Sequence, residues 1–189
     1  MSPRQSDARQ KMLESAVALI RERGAANTSI DQILNHSGAP RGSVYHHFPD
    51  GRQQVIREAI TSLRYGVHEM TQAVAGQGLL AAFDLFLVLW QQRLTESDFS
   101  AGCPVVAVTI ESDAELIDTA QQVFGSWRSA LIDVATQQGV PPRRAASLAT
   151  MIVASVEGAV ILCRAERSIQ PLKDVGRELR PIIESATAT

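Results

Sequence analysis

Three observations predict an all-α protein. Strand signals are nearly absent from the 189 residues. Apolar residues recur at the i, i+3, i+4, i+7 spacing of a helix face along most of the chain. Glycines and prolines stand where those stripes begin or end. The composition agrees: 45% hydrophobic and 20% charged residues are close to ordinary globular usage, which excludes collagen and low-complexity disorder. Two cysteines are too few for a disulfide scaffold.

The elements follow in order. Leu13, Ala16, Val17 and Ile20 give the first helix one apolar face from about Asp7 to Arg23, with Ser6 as its cap and Gly24 as its stop. A short second helix starts at Ser29, where Ser29 and Gln32 fit a capping box; Ile30, Ile33 and Leu34 form its inner face and Gly38 ends it. Pro40 is expected to open a third short helix, at a position where its missing N–H costs nothing. The fourth helix is expected from Arg52 through Val55, Ile56, Ala59, Ile60 and Leu63 into the mid-seventies, where Gly76-Gln77-Gly78 breaks it. Over some twenty residues it would be a rod of roughly 30 Å.

Longer helices come next. Leu79, Phe83, Phe86 and Trp90 make one stripe; Pro104 to Val108 is a short helix; Leu116, Ala120, Phe124, Trp127, Leu131 and Val134 make another stripe, closed by Gly139. The last helix, about Leu172 to Ala186, contains Pro181, which is expected to kink or split it. Between these, Ala145 to Cys163 is apolar almost all round. As a membrane span it is poor, because Glu157 lies inside it and a central acid costs roughly 2.5–3.5 kcal/mol on insertion scales. Burial on both faces explains the run better. Thr150, Ala154 and Gly158 recur every fourth residue, a smooth stripe suited to close approach by a second copy of the chain. No membrane partner is expected.

The net charge of −2 argues against a protein that coats nucleic acid or anionic lipid indiscriminately. Yet the charge is unevenly divided. Residues 1–65 hold nine Lys/Arg against six Asp/Glu, and the remainder nine against fourteen. A mildly basic head on an acidic body suits a small nucleic-acid-reading module joined to something else.

Two short helices joined by a Gly-containing turn, after a longer one, make a helix-turn-helix. Its second helix enters the major groove with its N-terminal residues toward the base edges. Here that helix reads Pro40-Arg41-Gly42-Ser43-Val44-Tyr45-His46-His47-Phe48. Val44 and Phe48, four apart, can anchor it. Arg41 can fork to guanine or phosphate, Gly42 permits close backbone approach, and Ser43, Tyr45 and His46 offer hydrogen bonds. Arg52, at the start of the fourth helix, suits a phosphate. His46-His47 are not expected to bind metal, since adjacent positions on a helix point apart.

The stretch from Thr28-Ser29-Ile30 through Ile33-Leu34 and Ser37-Gly38-Ala39 to Tyr45-His46-His47-Phe48 resembles the DNA-binding domain of TetR/AcrR-family regulators. Gly102-Cys103-Pro104-Val105 and Glu157-Gly158-Ala159 are similar to its LmrA/YxaF-like branch. Two departures stand out: Pro40 replaces the usual Ser/Thr cap, and Gly51 lengthens the loop before Arg52 by one residue. The resemblance implies an N-terminal three-helix DNA-binding domain (residues 1–51) and a C-terminal helical domain (residues 52–189) for effector binding and dimerisation. It implies a cytoplasmic homodimeric repressor, released from a pseudo-palindromic duplex operator by a small apolar molecule, with no catalytic residue, metal or cofactor. The DNA-facing set is Thr28, Ser29, Arg41, Gly42, Ser43, Tyr45, His46 and Arg52. Phe86, Trp90, Cys103, Glu111, Trp127 and Arg128 are expected at the effector, and Thr150, Ala154, Gly158, Val175 and Leu179 at the dimer interface. A helical-bundle enzyme or carrier, and a DNA-binding protein without effector, are the competing readings. No nucleophile–base pair, metal spacing or Gly-rich phosphate loop is visible to support the enzyme or carrier, and a ligand that changes operator affinity would exclude the effector-free protein.

Overall fold

The computed structural model describes residues 3–74, 76–110 and 114–188, and every regular element among them is helical. The chain divides into two compact units. One runs to Leu63 and takes in Cys103–Val123; the other comprises Arg64–Gly102 and the chain from Phe124 onward.

The first unit is organised by helix α1, Pro3–Arg23. It packs on α2 (Ile30–Ser37), α3 (Ser43–His47), α4 (Arg52–Ser62) and α7 (Pro104–Ile110). Met12, Leu13 and Ala16 of α1 meet Ile33 of α2, Val44 and Phe48 at α3, and Val55 of α4 in one buried cluster. Polar ties fix the helices round this core. Arg9 pairs with Glu58 and lays its guanidinium over the Phe48 ring, 5.2 Å from the centroid. Ser15 and His36 share a 2.9 Å hydrogen bond between α1 and α2. The capping box forms as expected: Ser29 accepts from the Gln32 amide, and the Gln32 side chain accepts from the Ser29 N–H. Gly38, at φ 68°, ends α2 in the left-handed conformation and donates to Leu34.

The second unit is built from α5 (Gly66–Ala73), α6 (Gly78–Glu96), α9 (Pro142–Glu166) and α10 (Gln170–Thr187), with the later turns of α8 (Ala114–Gln137). α10 lies on α9 and α6 through Leu172, Gly176, Leu179 and Ile183, one stripe of a strongly amphipathic helix. Gly78 sits at φ +88°, which L side chains rarely adopt, and a Cβ there would displace the Gln138 side chain, whose carbonyl oxygen accepts from the Leu79 N–H at 2.7 Å.

Four expectations about the elements are corrected. α1 starts at Pro3, so Ser6 lies within it rather than capping it. α3 starts at Ser43, because the Ser43 N–H and hydroxyl both donate to the Pro40 carbonyl and hold Pro40–Ser43 as a turn. The expected long fourth helix is two helices, α4 and α5, separated by a 3₁₀ turn at Leu63–Tyr65. There the Thr61 and Ser62 hydroxyls donate to the Arg57 and Ala59 carbonyls, competing with the backbone ladder. Pro181 does not split α10: Pro181 and Arg177 are both exposed, so water can meet the carbonyl that the missing N–H would have used.

Candidate nucleic-acid interface

α3 is only five residues long, far too short to hold itself together. It is held by its inner side: Val44 and Phe48 are fully buried. The Phe48 N–H donates back to the Val44 carbonyl and closes the last turn. With those residues turned inward, the outer side presents Tyr45, 67% exposed, and His46, also exposed. His46 and His47 stack edge-to-face with centroids 5.1 Å apart, and no group of His, Cys, Asp or Glu among the described residues could hold a metal ion.

The entry to α3 adds a cation. Arg41 stands free of the core and donates from Nη2 to Oδ1 of Asp31 at 2.5 Å, across from the first turn of α2. Gly42 is the N-cap of α3, exposed, and an added Cβ there would meet nothing within 4 Å. Arg41, Gly42, Tyr45 and His46 are therefore exposed in and just before α3 with Ser43 half-exposed among them, Ser29 is exposed at the start of α2, and the Arg41–Asp31 contact links the two segments. The Ser29 and Ser43 hydroxyl oxygens already serve local turns.

Two expected members lie elsewhere. Thr28 is 1% exposed, and its hydroxyl donates to the Gly24 carbonyl at 2.8 Å. Arg52 does not reach outward from the start of α4. Its Nε donates to the Thr28 carbonyl at 2.7 Å and its Nη2 to the Ala25 carbonyl. Gly51 precedes α4 at φ 68°, and the Arg52 guanidinium folds back over the α1–α2 turn. It acts there as a strap on two carbonyls of the loop between α1 and α2, the Ala25 carbonyl also accepting from the Thr28 N–H at 3.0 Å.

Comparison with known proteins settles the family. Residues 12–59 match the bacterial regulatory proteins of the tetR family. Residues 80–178 match the C-terminal domain of LmrA/YxaF-like transcriptional regulators. The chain belongs to the TetR family. It is 39% identical over 93% of both chains to an uncharacterized HTH-type transcriptional regulator of Mycobacterium tuberculosis (strain H37Rv). It is 27% identical to the HTH-type transcriptional regulator LmrA of Bacillus subtilis, over 88% of this chain and 91% of LmrA. Among solved structures it is similar to regulatory protein TetR from Rhodobacter sphaeroides, with a TM-score of 0.81 at 20% identity over 92% and 97% of the two chains. A TetR regulator from Chloroflexus aurantiacus gives a TM-score of 0.76 at 25% identity over 96% of each. The protein is a helix-turn-helix transcriptional regulator, and its relatives are regulators rather than enzymes.

The residues expected at the effector site differ in their surroundings. Trp90 and Trp127 are buried and Phe86 is half-buried, as edge-to-face pairs with neighbours on their own helices: Phe86 with Trp90, and Trp127 with Phe124. Arg93 covers the Trp90 ring at 5.3 Å, while the Trp90 indole nitrogen is buried with no hydrogen-bond partner among the described residues. Arg128 is exposed on α8. Cys103 is buried and belongs to the first unit. Glu111 lies outside the described residues. A cavity of about 580 Å³ in the second unit is lined instead by His68, Gln72, Asp133 and Gln138, with none of these residues.

The small-residue stripe of α9 is on the surface. Thr150 and Ala154 are exposed and Gly158 half-exposed, and the same face continues through Ile161 and Leu162, 50% and 52% exposed. Ile182 of α10 is a further exposed apolar side chain. Ile161 and Leu162, three and four residues beyond Gly158, were findable by extending the stripe. Leu179 is buried within its own unit, and Val175 is half-buried. α9 is long and apolar enough to cross a bilayer, but half of its most apolar window is buried inside the protein.

Proposed function

We propose that this TetR-family regulator is a homodimeric repressor whose paired α3 helices read a pseudo-palindromic operator in duplex DNA, and that a small molecule releases it. The observation that carries the reading is the outward face of α3: Tyr45 and His46 stand exposed beside Arg41 and side-chain-free Gly42, on a helix anchored by Val44 and Phe48. Such a short, rigidly seated helix has polar groups suited to base edges and phosphates. We assign DNA reading to residues 1–51, with Ser29, Arg41, Gly42, Ser43, Tyr45 and His46 as the contacting set. Thr28 and Arg52 support that set from within. Acting on DNA, the protein would work in the cytoplasm.

Dimerisation is supported by the exposed apolar face of α9, which no described residue of its own unit covers. A two-fold dimer that reads DNA with two α3 helices calls for half-sites one helical turn, ~34–36 Å, or a multiple apart. The effector is assigned to residues 52–189. Trp90 supports an apolar ligand site with a polar handle, because a buried indole N–H without a partner is costly unless something accepts from it. Coupling between effector and operator is expected at about 1–3 kcal/mol, and it must be reciprocal.

The test is selection of bound fragments from genomic DNA, followed by a compound screen for release of the best fragment. Recovery of a two-fold-symmetric sequence whose binding a compound weakens supports the whole reading. Binding that no compound alters leaves a DNA-binding protein without effector control, and no sequence preference at all overturns operator recognition.

A further inference from the structure

We propose that Asp31 is a positioning residue for base recognition: its carboxylate holds the Arg41 guanidinium in the orientation that reads one base pair of each half-site. This rests on the assignment of Arg41 to the DNA-facing set. Asp31 sits in the first turn of α2 and Arg41 in the turn that leads into α3, ten residues later. The two meet at 2.5 Å although their side chains are 65% and 79% exposed.

The contact is not needed to hold the fold. An exposed ion pair contributes little in water, where solvent and salt screen it and two long side chains must be ordered. α2 is already fixed by its capping box, by buried Ile33 and Leu34, and by the Ser15–His36 hydrogen bond. Nor does the carboxylate serve general affinity for a polyanion, since negative charge beside a phosphate-binding face opposes it. What the pair does offer is orientation. Guanidinium has five N–H donors in a rigid plane, so one edge can sit on Asp31 while the others remain for the two acceptors of a guanine in the major groove. A side chain ordered before binding loses less freedom when it docks. Gly42, with open space where a Cβ would stand, leaves the approach clear. The favourable placement of an acid at a helix N-terminus accounts for a charge at this position, but not for its hold on Arg41.

The experiment uses full-length protein and a randomised duplex library, with wild type, Asp31→Asn, Arg41→Ala and the double variant. Wild type is expected to enrich a guanine at one position per half-site. Asp31→Asn should lose about tenfold discrimination at that position alone, with unchanged or tighter binding to unrelated duplex. The double variant should match Arg41→Ala at that position, because Asp31 acts only through Arg41. Asp31→Asn with wild-type preference at every position overturns the proposal, and so does a double variant that loses more than Arg41→Ala. If Asp31→Asn lowers the melting temperature and weakens all sequences equally, the acid serves only the α2 terminus and the proposal fails. A wild type that enriches no sequence overturns the DNA-reading assignment and this inference together; a wild-type site retained intact by Asp31→Asn overturns this inference alone.

Discussion

α3 and α9 both leave a face of the single chain uncovered, and the chemistry of the two faces differs. α3 has five residues, two buried anchors, and an outer side of Tyr45 and His46 beside Arg41. α9 has twenty-five residues and an outer side of Thr150, Ala154, Gly158, Ile161 and Leu162. Water solvates the first face well, so covering it is worthwhile only for a partner that returns hydrogen bonds and charge. Water solvates the second face poorly, and about 25 cal/mol per Å² favours covering it with another apolar surface. Exposure thus marks two uncovered faces, and side-chain chemistry suits the first to a nucleic-acid partner and the second to a protein partner, as proposed above.

The sharpest test of that contrast lies within α3 itself. Phe48→Ala should destabilise the first unit by about 3–5 kcal/mol, because the ring is fully buried and carries the Arg9 guanidinium. DNA binding should fall with the fold. Tyr45→Ala should do the reverse: stability within about 0.5 kcal/mol of wild type, with weakened binding to the selected duplex. Thermal melts and a binding titration on both variants check the pair. A Tyr45→Ala variant that binds the operator like wild type would remove the outer face of α3 from the interface.

On α9 the equivalent test disturbs the outside without touching the inside. An added Cβ at Gly158 meets nothing within 4 Å in the chain, so Gly158→Leu should leave the protomer folded. In a packed dimer the same side chain overfills the seam, at about 1–3 kcal/mol. Leu162→Asp should weaken association further by placing a charge among apolar side chains. Sedimentation at low micromolar concentration should show wild-type dimers and a monomeric shift for both variants. A monomeric wild type would dissociate the apolar face from self-association.

The same two regions show what could be read in the sequence. The Ser29–Gln32 box, the Gly38 stop and the inward pair Val44 and Phe48 are local patterns, set by spacings of three or four residues. α9 was visible as an apolar run, and its exposed stripe as a four-residue repeat. Arg52 was not legible, because its guanidinium is directed by carbonyls at Ala25 and Thr28, more than twenty positions away. Asp31 and Arg41 meet only once α2 and the following turn are placed. Leu179 belongs to an apolar stripe, but a stripe does not say which neighbour covers it. The break at Leu63–Tyr65 arises from hydroxyls competing for helix carbonyls, and apolar periodicity passes straight through it.

Arg52→Ala distinguishes a strap from a phosphate contact. Loss of the guanidinium removes one donor from each of the Thr28 and Ala25 carbonyls, of which Ala25 keeps the Thr28 N–H, and costs roughly 1–3 kcal/mol, toward the lower end if water enters. The slope of binding affinity against salt should stay unchanged, since no phosphate contact is removed. A slope reduced by about one contact, with stability intact, would return Arg52 to the DNA face.

The smallest effect concerns the inner side of α9, where Cys163 is fully buried immediately after exposed Ile161 and Leu162. Burial pushes its thiol pKa above the usual 9.0; a backbone hydrogen bond from Leu172 works against this and Glu166 adds to it. The folded state therefore holds the proton more tightly than the unfolded chain. Below the unfolded value both states keep it and the thiol adds no pH dependence. As pH rises above about 9 the unfolded chain ionises first, so stability should fall, with a limiting slope of about 1.4 kcal/mol per pH unit for one group. The decline ends once pH passes the raised folded value. Denaturant melts of wild type and Cys163→Ala from pH 7.5 to 10.5 isolate this contribution from the lysines and tyrosines that titrate nearby. The variant should carry a constant cost for the lost side chain and a shallower alkaline decline. Parallel curves would mean that the inside of α9 stabilises the thiolate as well as water does, and the contrast between a dry inner face and a solvated outer one would fail.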